Sequence, residues 1–160
     1  MTNKHFRRFA REWSMQFLFQ YDMTDMADRE LSINAFLRQL EDTELFDSPA
    51  DKKTFRKADR ITRDMINGIL DNVSEIDKTI SEYSAKWTIE RMDIVDRNVM
   101  RVAIYEMMFT QNVPPVVSIN EAVEIGKVYG TGNTSSFING VLNAIMKTLS
   151  RSSREVITEK

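Results

Sequence analysis

Three arginines near the start of the chain are the residues best placed to do chemistry. Arg7, Arg8 and Arg11 sit within five positions, and Lys4 lies one helical turn earlier. Guanidinium groups make bidentate contacts to phosphate and stack on bases. Phe6, Phe9 and Phe19 lie nearby, and aromatic rings stack on unpaired bases. The group reads as a contact for nucleic acid, with a solvated basic helix end as the plain alternative. Residues 1–11 contain no acid, whereas ten acids face two arginines between 12 and 51. The basic end would attract a polyanion that the rest of the chain repels. A few phosphate contacts give only a modest, salt-sensitive affinity, so RNA binding here calls for a partner or a specific single-stranded site.

Catalytic groups are scarce by comparison. Nucleophilic catalysis needs an activated side chain beside a base. The chain has no Cys, and its one His, His5, sits in a segment expected to fray. Disulfides, cysteine zinc sites and multi-histidine metal sites are excluded. Gly126-Lys-Val-Tyr-Gly130-Thr-Gly132 looks like a phosphate loop but has neither the required spacing nor a preceding strand. It reads better as a helix C-terminus with Gly130 at C′, followed by a polar turn over 131–135. Asp93 with Asp96, and Glu121 with Glu124, read as helix N-termini complementing the dipole. The sequence therefore points to a protein that is not an enzyme and holds no cofactor or metal.

Helices must position these groups. Phe6, Phe9, Trp13, Phe17 and Tyr21 recur at steps of three and four, which predicts a helix over about 4–23. Leu31, Ile33, Phe36, Leu37 and Leu40 mark a second. Residues 42–53, with Ser48-Pro49, read as a loop. A sustained apolar series from Phe55 to Trp87 predicts one long helix, or two joined near 72–74. Asp93 and Asp96 read as an N-cap and its capping-box partner, opening a helix that runs to about Thr110. Ser118 and Glu121 form a second capping-box pattern. A last helix is expected over about 136–149. The expected fold is all-α, a compact bundle of six to seven helices in two sub-bundles, about 4–86 and 88–149, with a polar tail at 150–160.

The 160 residues suit a single domain with a real core, since 42% are apolar. Net charge is −2, not the balance of a stand-alone DNA-binding domain. No apolar run reaches the roughly 18 residues of a membrane span, and no apolar segment follows the basic start. A cytoplasmic protein without membrane contact is expected.

Four strings within these helices resemble the NusB family. They are Arg7-Arg-Phe-Ala-Arg-Glu12 with Gln16 and Leu18-Phe19; Asp96-Arg-x-x-x-Arg101-x-Ala-Ile-Tyr-Glu106; Val113-Pro-Pro-x-Val-x-Ile-Asn-Glu-Ala122; and Ser136-Phe-Ile-Asn-Gly-Val-Leu142. Their order and separation match over about residues 7–148. The resemblance implies an all-helical antitermination factor. It implies binding of the single-stranded boxA element of ribosomal RNA leaders together with NusE, a small-subunit ribosomal protein. The pair would then help the RNA polymerase antitermination complex read through terminators.

The resemblance also assigns roles. Lys4, Arg7, Arg8 and Arg11 match the family's basic RNA-binding start. Phe19 stands where a Tyr that meets RNA is usual; it keeps the stacking face and lacks the hydroxyl. Asn133 stands where Asp is frequent, and Ser136 where Lys or Arg is frequent. Phe9 replaces a frequent third arginine. Phe137 matches an aromatic at the start of the last helix and reads equally as core. Asp96 matches an acid near the junction of RNA and partner. Tyr105 and Glu106 read as helix packing plus a partner contact. Asn139-Gly140 reads as structural, with the glycine admitting a close neighbour. Some family members dimerise and mask the RNA surface, so a homodimer stays open.

A helical protein–protein adaptor without specific RNA binding is the alternative function. The same helical domain precedes some ribosomal RNA cytosine methyltransferases. This chain shows no strand pattern for a methyl donor, so that reading is set aside.

Overall fold

The computed structural model describes residues 5–85, 87–110 and 112–149. Lys4 and the polar tail at 150–160 lie outside the described residues. Those described form seven α-helices joined by short turns, with no strand among them. The chain divides into two compact units, Met1–Asn67 and Gly68–Lys160, with the division falling inside a helix.

The first unit holds α1 (Phe6–Met23), α2 (Arg29–Glu41) and most of α3 (Pro49–Asp71). His5 opens α1: its Nδ1 accepts from the Arg7 N–H at 3.2 Å, satisfying one orphan donor of the first turn. Asp28 does the same for α2 through the Leu31 N–H at 3.1 Å. The segment read as a loop over 42–53 is shorter than expected. Glu44–Phe46 forms a 3₁₀ turn, and α3 already begins at Pro49. Ser48 Oγ accepts from the Asp51 N–H at 3.1 Å and donates to the Asp51 carboxylate, so the serine satisfies one orphan donor of the first turn and the acid holds its hydroxyl in place. Proline at the first helical position has no N–H to leave unpaired.

An aromatic cluster holds this unit together. Trp13 packs on Phe55 with centroids 5.4 Å apart, and Phe46 meets Phe55 edge-on at 5.1 Å. Phe9 lies against Trp13 and Phe46, and Phe17 meets Phe36 edge-on at 5.6 Å. Each such pair adds about 0.5–1.5 kcal/mol beyond its buried area. The buried ring of Phe46 gives the 3₁₀ turn its place between exposed neighbours.

The second unit holds the end of α3, then α4 (Val73–Tyr83), α5 (Ile94–Tyr105), α6 (Pro115–Tyr129) and α7 (Thr134–Met146). The long apolar series does break at Asn72, whose side-chain amide donates to the Gly68 carbonyl at 2.8 Å. The helix expected to reach Thr110 changes character after Tyr105, and Glu106–Thr110 widens into a π turn. Helix α6 packs on α5 and α7, and α4 on both α5 and α7. Ile76, Ile80, Met100, Ile104, Ile138 and Leu142 are fully buried among these helices. The Arg101 guanidinium makes a two-pronged contact to Asp77, 2.8 Å on each prong, and donates to Asn98 Oδ1 at 2.9 Å.

Three local readings are corrected. Ser118 does not cap α6, which already starts at Pro115; its hydroxyl donates to Glu106 Oε2 at 3.3 Å instead. The pre-set φ of proline wins the N-terminus from the capping pattern. Gly130 is not in the left-handed conformation of a C′ glycine: its φ is −94°. Its role is spatial, because a Cβ there would run into the Thr134 side chain. Gly140, read as admitting a close neighbour, faces open space, with nothing within 4 Å of where its Cβ would be. None of the described helices is long and apolar enough to cross a membrane.

Candidate nucleic-acid interface

Helix α1 carries the basic residues, and its amphipathic spacing sorts them by exposure. Arg7 and Arg8 are half-buried, with their Cα atoms in the first turn. Arg11 is buried, at 6% exposure, beside buried Glu12. The arginine cluster of the sequence is thus two partly accessible cations and one enclosed one. Phe19 is exposed, at 36%. It stands eleven residues after Arg8, about 20° around the helix and roughly 16 Å along it, so the two share a face. Phe9 is withdrawn into the aromatic cluster and cannot stack on a base. Phe6 is half-buried under the Lys57 ammonium, 5.3 Å from the ring centroid. His5, exposed, acts as a helix cap.

The second unit gathers three of the other site residues. Asp96, Asn133 and Phe137 line one pocket of about 350 Å³. Trp87, Arg91, Met92 and Asp93 complete its wall. Asp93 Oδ1 is spent on the cap of α5, accepting from the Val95 N–H at 2.9 Å. Asp96 does not close a capping box. Its Oδ1 accepts from the Thr134 hydroxyl at 2.7 Å, tying α5 to the start of α7. Burial pushes the Asp96 carboxyl above its ordinary value; the Thr134 hydrogen bond pulls it down, and the Asp93 charge adds to the rise. Asn133 is exposed at the end of the α6–α7 turn, and Phe137 is half-buried. Ser136 is exposed on α7 and does not line the pocket.

The close approach of α7 explains the glycine string. A Cβ on Gly126 would come within 3.1 Å of Thr134 Cγ2 and 3.2 Å of Ile138 Cδ1. Gly126 and Gly130 therefore make room for α7, and Gly132 stands in open space. Tyr105 and Glu106 sit where packing is the visible role. The Tyr105 ring lies over Gly68 and stacks on Phe109 with centroids 5.8 Å apart. Glu106 is buried and accepts from Ser118. Glu124 pairs with Lys127 at 3.0 Å on the surface. Among the described residues no three acids or histidines cluster as a metal site would.

Sequence reasoning missed Trp87, Arg91 and Met92. Trp87 closes the long apolar series and read as core. The helix ends at Tyr83, however, and Ala85 takes a left-handed φ of 54°. Beyond that turn Trp87 is exposed at 53%. A left-handed alanine has no signature in the sequence, since this conformation usually goes to Gly, Asn or Asp.

The model of the NusB family matches residues 8–147. A transcription antitermination protein NusB from Thermodesulfovibrio yellowstonii is 37% identical over 88% of this chain and 91% of its own. One from Desulforapulum autotrophicum is 38% identical over 93% and 98%. Among solved structures, T. maritima NusB superposes with a TM-score of 0.73 at 37% identity, covering 94% of this chain and 96% of that one. A crystal structure of antitermination factors NusB and NusE in complex with double-stranded RNA shares the fold, with a TM-score of 0.71 at 23% identity, over 90% and 98%.

Proposed function

The chain belongs to the NusB family, and from that premise we propose that it is a transcription antitermination factor. It binds boxA RNA of ribosomal leader transcripts together with NusE and supports read-through by RNA polymerase. The observation that carries this reading is the family match across nearly the whole chain, to relatives named for antitermination. A solved family complex that contains both NusE and RNA supports the two partners.

The chain contributes binding surfaces rather than reaction chemistry. Arg7 and Arg8 supply phosphate contacts from α1, with Lys4 ahead of them, and Phe19 supplies a stacking face. Asn133, Ser136 and Phe137 extend the RNA contact in the second unit. Arg11 belongs to the site through its charge and its hold on α1, because it is buried. Asp96 faces the junction of RNA and partner, with Tyr105 and Glu106 holding the helix that carries it. The two halves assigned from sequence, about 4–86 and 88–149, act together as one RNA-binding domain.

Transcription in vitro tests the reading. Polymerase, NusE and this protein are assayed on templates carrying a terminator, with boxA or a scrambled element upstream. Read-through that rises only with boxA, and only with both proteins, is the expected result. Read-through that ignores boxA would leave the adaptor function in its place.

A further inference from the structure

The pocket of the second unit has walls that suit one chemical group. We propose that it takes a single unpaired guanine base of the bound RNA, held against Trp87 and Phe137 and read by Asp96. The proposal rests on the RNA-binding function above and adds a residue, Trp87, and a base preference to it.

Shape and chemistry argue for a base. Two aromatic side chains line a cavity of about 350 Å³, roomy enough for a purine. Trp87 is exposed at 53%, and no other ring packs on its indole among the described residues. An exposed tryptophan in a pocket wall is a stacking surface awaiting a flat partner. Met92 is buried and adds an apolar side chain to the pocket lining.

The polar wall selects the edge. Asp96 spends Oδ1 on Thr134, and no hydrogen bond engages Oδ2 among the described residues. Asp93 spends Oδ1 on the α5 cap. What remains of the two carboxylates accepts hydrogen bonds only, while Arg91 and Asn133 on the same wall can donate to an acceptor such as guanine O6. Guanine offers two adjacent donors, N1–H and the N2 amino group, which match the two oxygens of a carboxylate or the nearest pair from two. Adenine and cytosine offer one amino group each, and uracil one imino N–H. A lysine or arginine side chain of a partner would also suit a carboxylate between aromatic rings. The Arg91 guanidinium on the same wall opposes a second cation and favours a neutral base whose phosphate lies outside.

The test uses the whole protein, labelled boxA RNA and NusE. Each guanosine in the RNA is replaced in turn by inosine, which lacks the N2 amino group. Wild type, Trp87→Ala, Trp87→Phe and Asp96→Asn are titrated by anisotropy, and tryptophan emission is followed alongside. One inosine position is expected to weaken wild type about tenfold, the scale of one base contact. That position should matter little in Asp96→Asn. Trp87→Ala should lose about tenfold, Trp87→Phe should retain most of the affinity, and RNA should quench emission in wild type. Unchanged circular dichroism shows that the variants fold. If wild type binds boxA and Trp87→Ala binds it equally well, the pocket proposal fails while the RNA reading stands. A Trp87→Ala defect seen only in NusE binding assigns the pocket to the partner and overturns the proposal. Wild type that binds no RNA, alone or with NusE, overturns both.

Discussion

The Thr134 hydroxyl donates to Asp96 Oδ1 at 2.7 Å and accepts from the Thr131 N–H at 3.0 Å. One buried side chain thus closes the α6–α7 turn and fastens the start of α7 to the first turn of α5. The same side chain occupies the space that a Cβ on Gly130 would need. A hydrogen-bonded threonine and a glycine four residues earlier set the geometry of one pocket wall.

Asp96 makes stability depend on pH. Burial holds its carboxyl above the ordinary value, against the pull of Thr134, and Asp93 adds repulsion. The folded protein therefore binds this proton more tightly than the unfolded chain. The resulting stabilisation is full below the unfolded value and is lost as pH rises through the raised one. Asp96→Asn keeps an acceptor for Thr134 and removes the charge. Urea denaturation should show the variant gaining on wild type as pH rises from the ordinary aspartate range, about 3.9, through the raised value of the folded protein. A gap that moves the other way would contradict the burial argument.

The glycines separate by surroundings. Gly130→Ala and Gly68→Ala should each lower the melting temperature, since the new methyl meets Thr134 in one case and the Tyr105 ring in the other. Gly140→Ala should raise stability by up to about 1 kcal/mol, the helix-propensity gain in open space. Thermal melts of the three variants check the order. A destabilised Gly140→Ala would mean that its surroundings are not open.

Arg101 and Asp77 form an ion pair with one largely buried partner, at 8% and 24% side-chain exposure. Asp77→Ala removes both prongs of the carboxylate contact from a largely buried guanidinium. A loss of about 3 kcal/mol in chemical denaturation is expected. The exposed Glu124–Lys127 pair should cost less than about 0.5 kcal/mol when broken. Equal losses at the two sites would show that burial does not set the difference.

The arginines of α1 should divide in the same way. Arg7→Ala and Arg8→Ala should each weaken RNA binding about tenfold, the scale of one charge-assisted hydrogen bond of about 1.5 kcal/mol. Each should lower the salt slope by about 0.7. Neither should unfold the protein. Arg11→Ala removes a buried charge and should lower the melting temperature as well. Arg11→Ala with wild-type stability would return it to the surface cluster.

Periodicity made the helices legible, because each buries one stripe. The apolar spacing runs on from Ile69 through Val73 to Ile76, so periodicity alone does not decide between one helix and two at Asn72. The start of α6 could not be read either, since Ser118-Ile-Asn-Glu121 carries a capping pattern that Pro115 pre-empts. Residue type gave the cationic stretch at α1, but not that Arg11 is enclosed while Arg8 is partly open. That difference is set by tertiary packing, which composition does not encode. Asp96 reads locally as a helix N-terminus and gains a site role only through resemblance to a family; its bond to Thr134 joins residues 38 positions apart. Trp87 reads as core and is exposed, because the turn at Ala85 depends on a backbone conformation unusual for its residue type.

The central claim is specific RNA recognition aided by a protein partner. Fluorescence anisotropy of labelled single-stranded boxA RNA, against a scrambled control, tests it most directly. The protein is titrated alone and with NusE at two salt concentrations. Preferential boxA binding, tightened by NusE and weakened by salt, is the predicted result. Equal binding to both RNAs, or none even with NusE present, would contradict it.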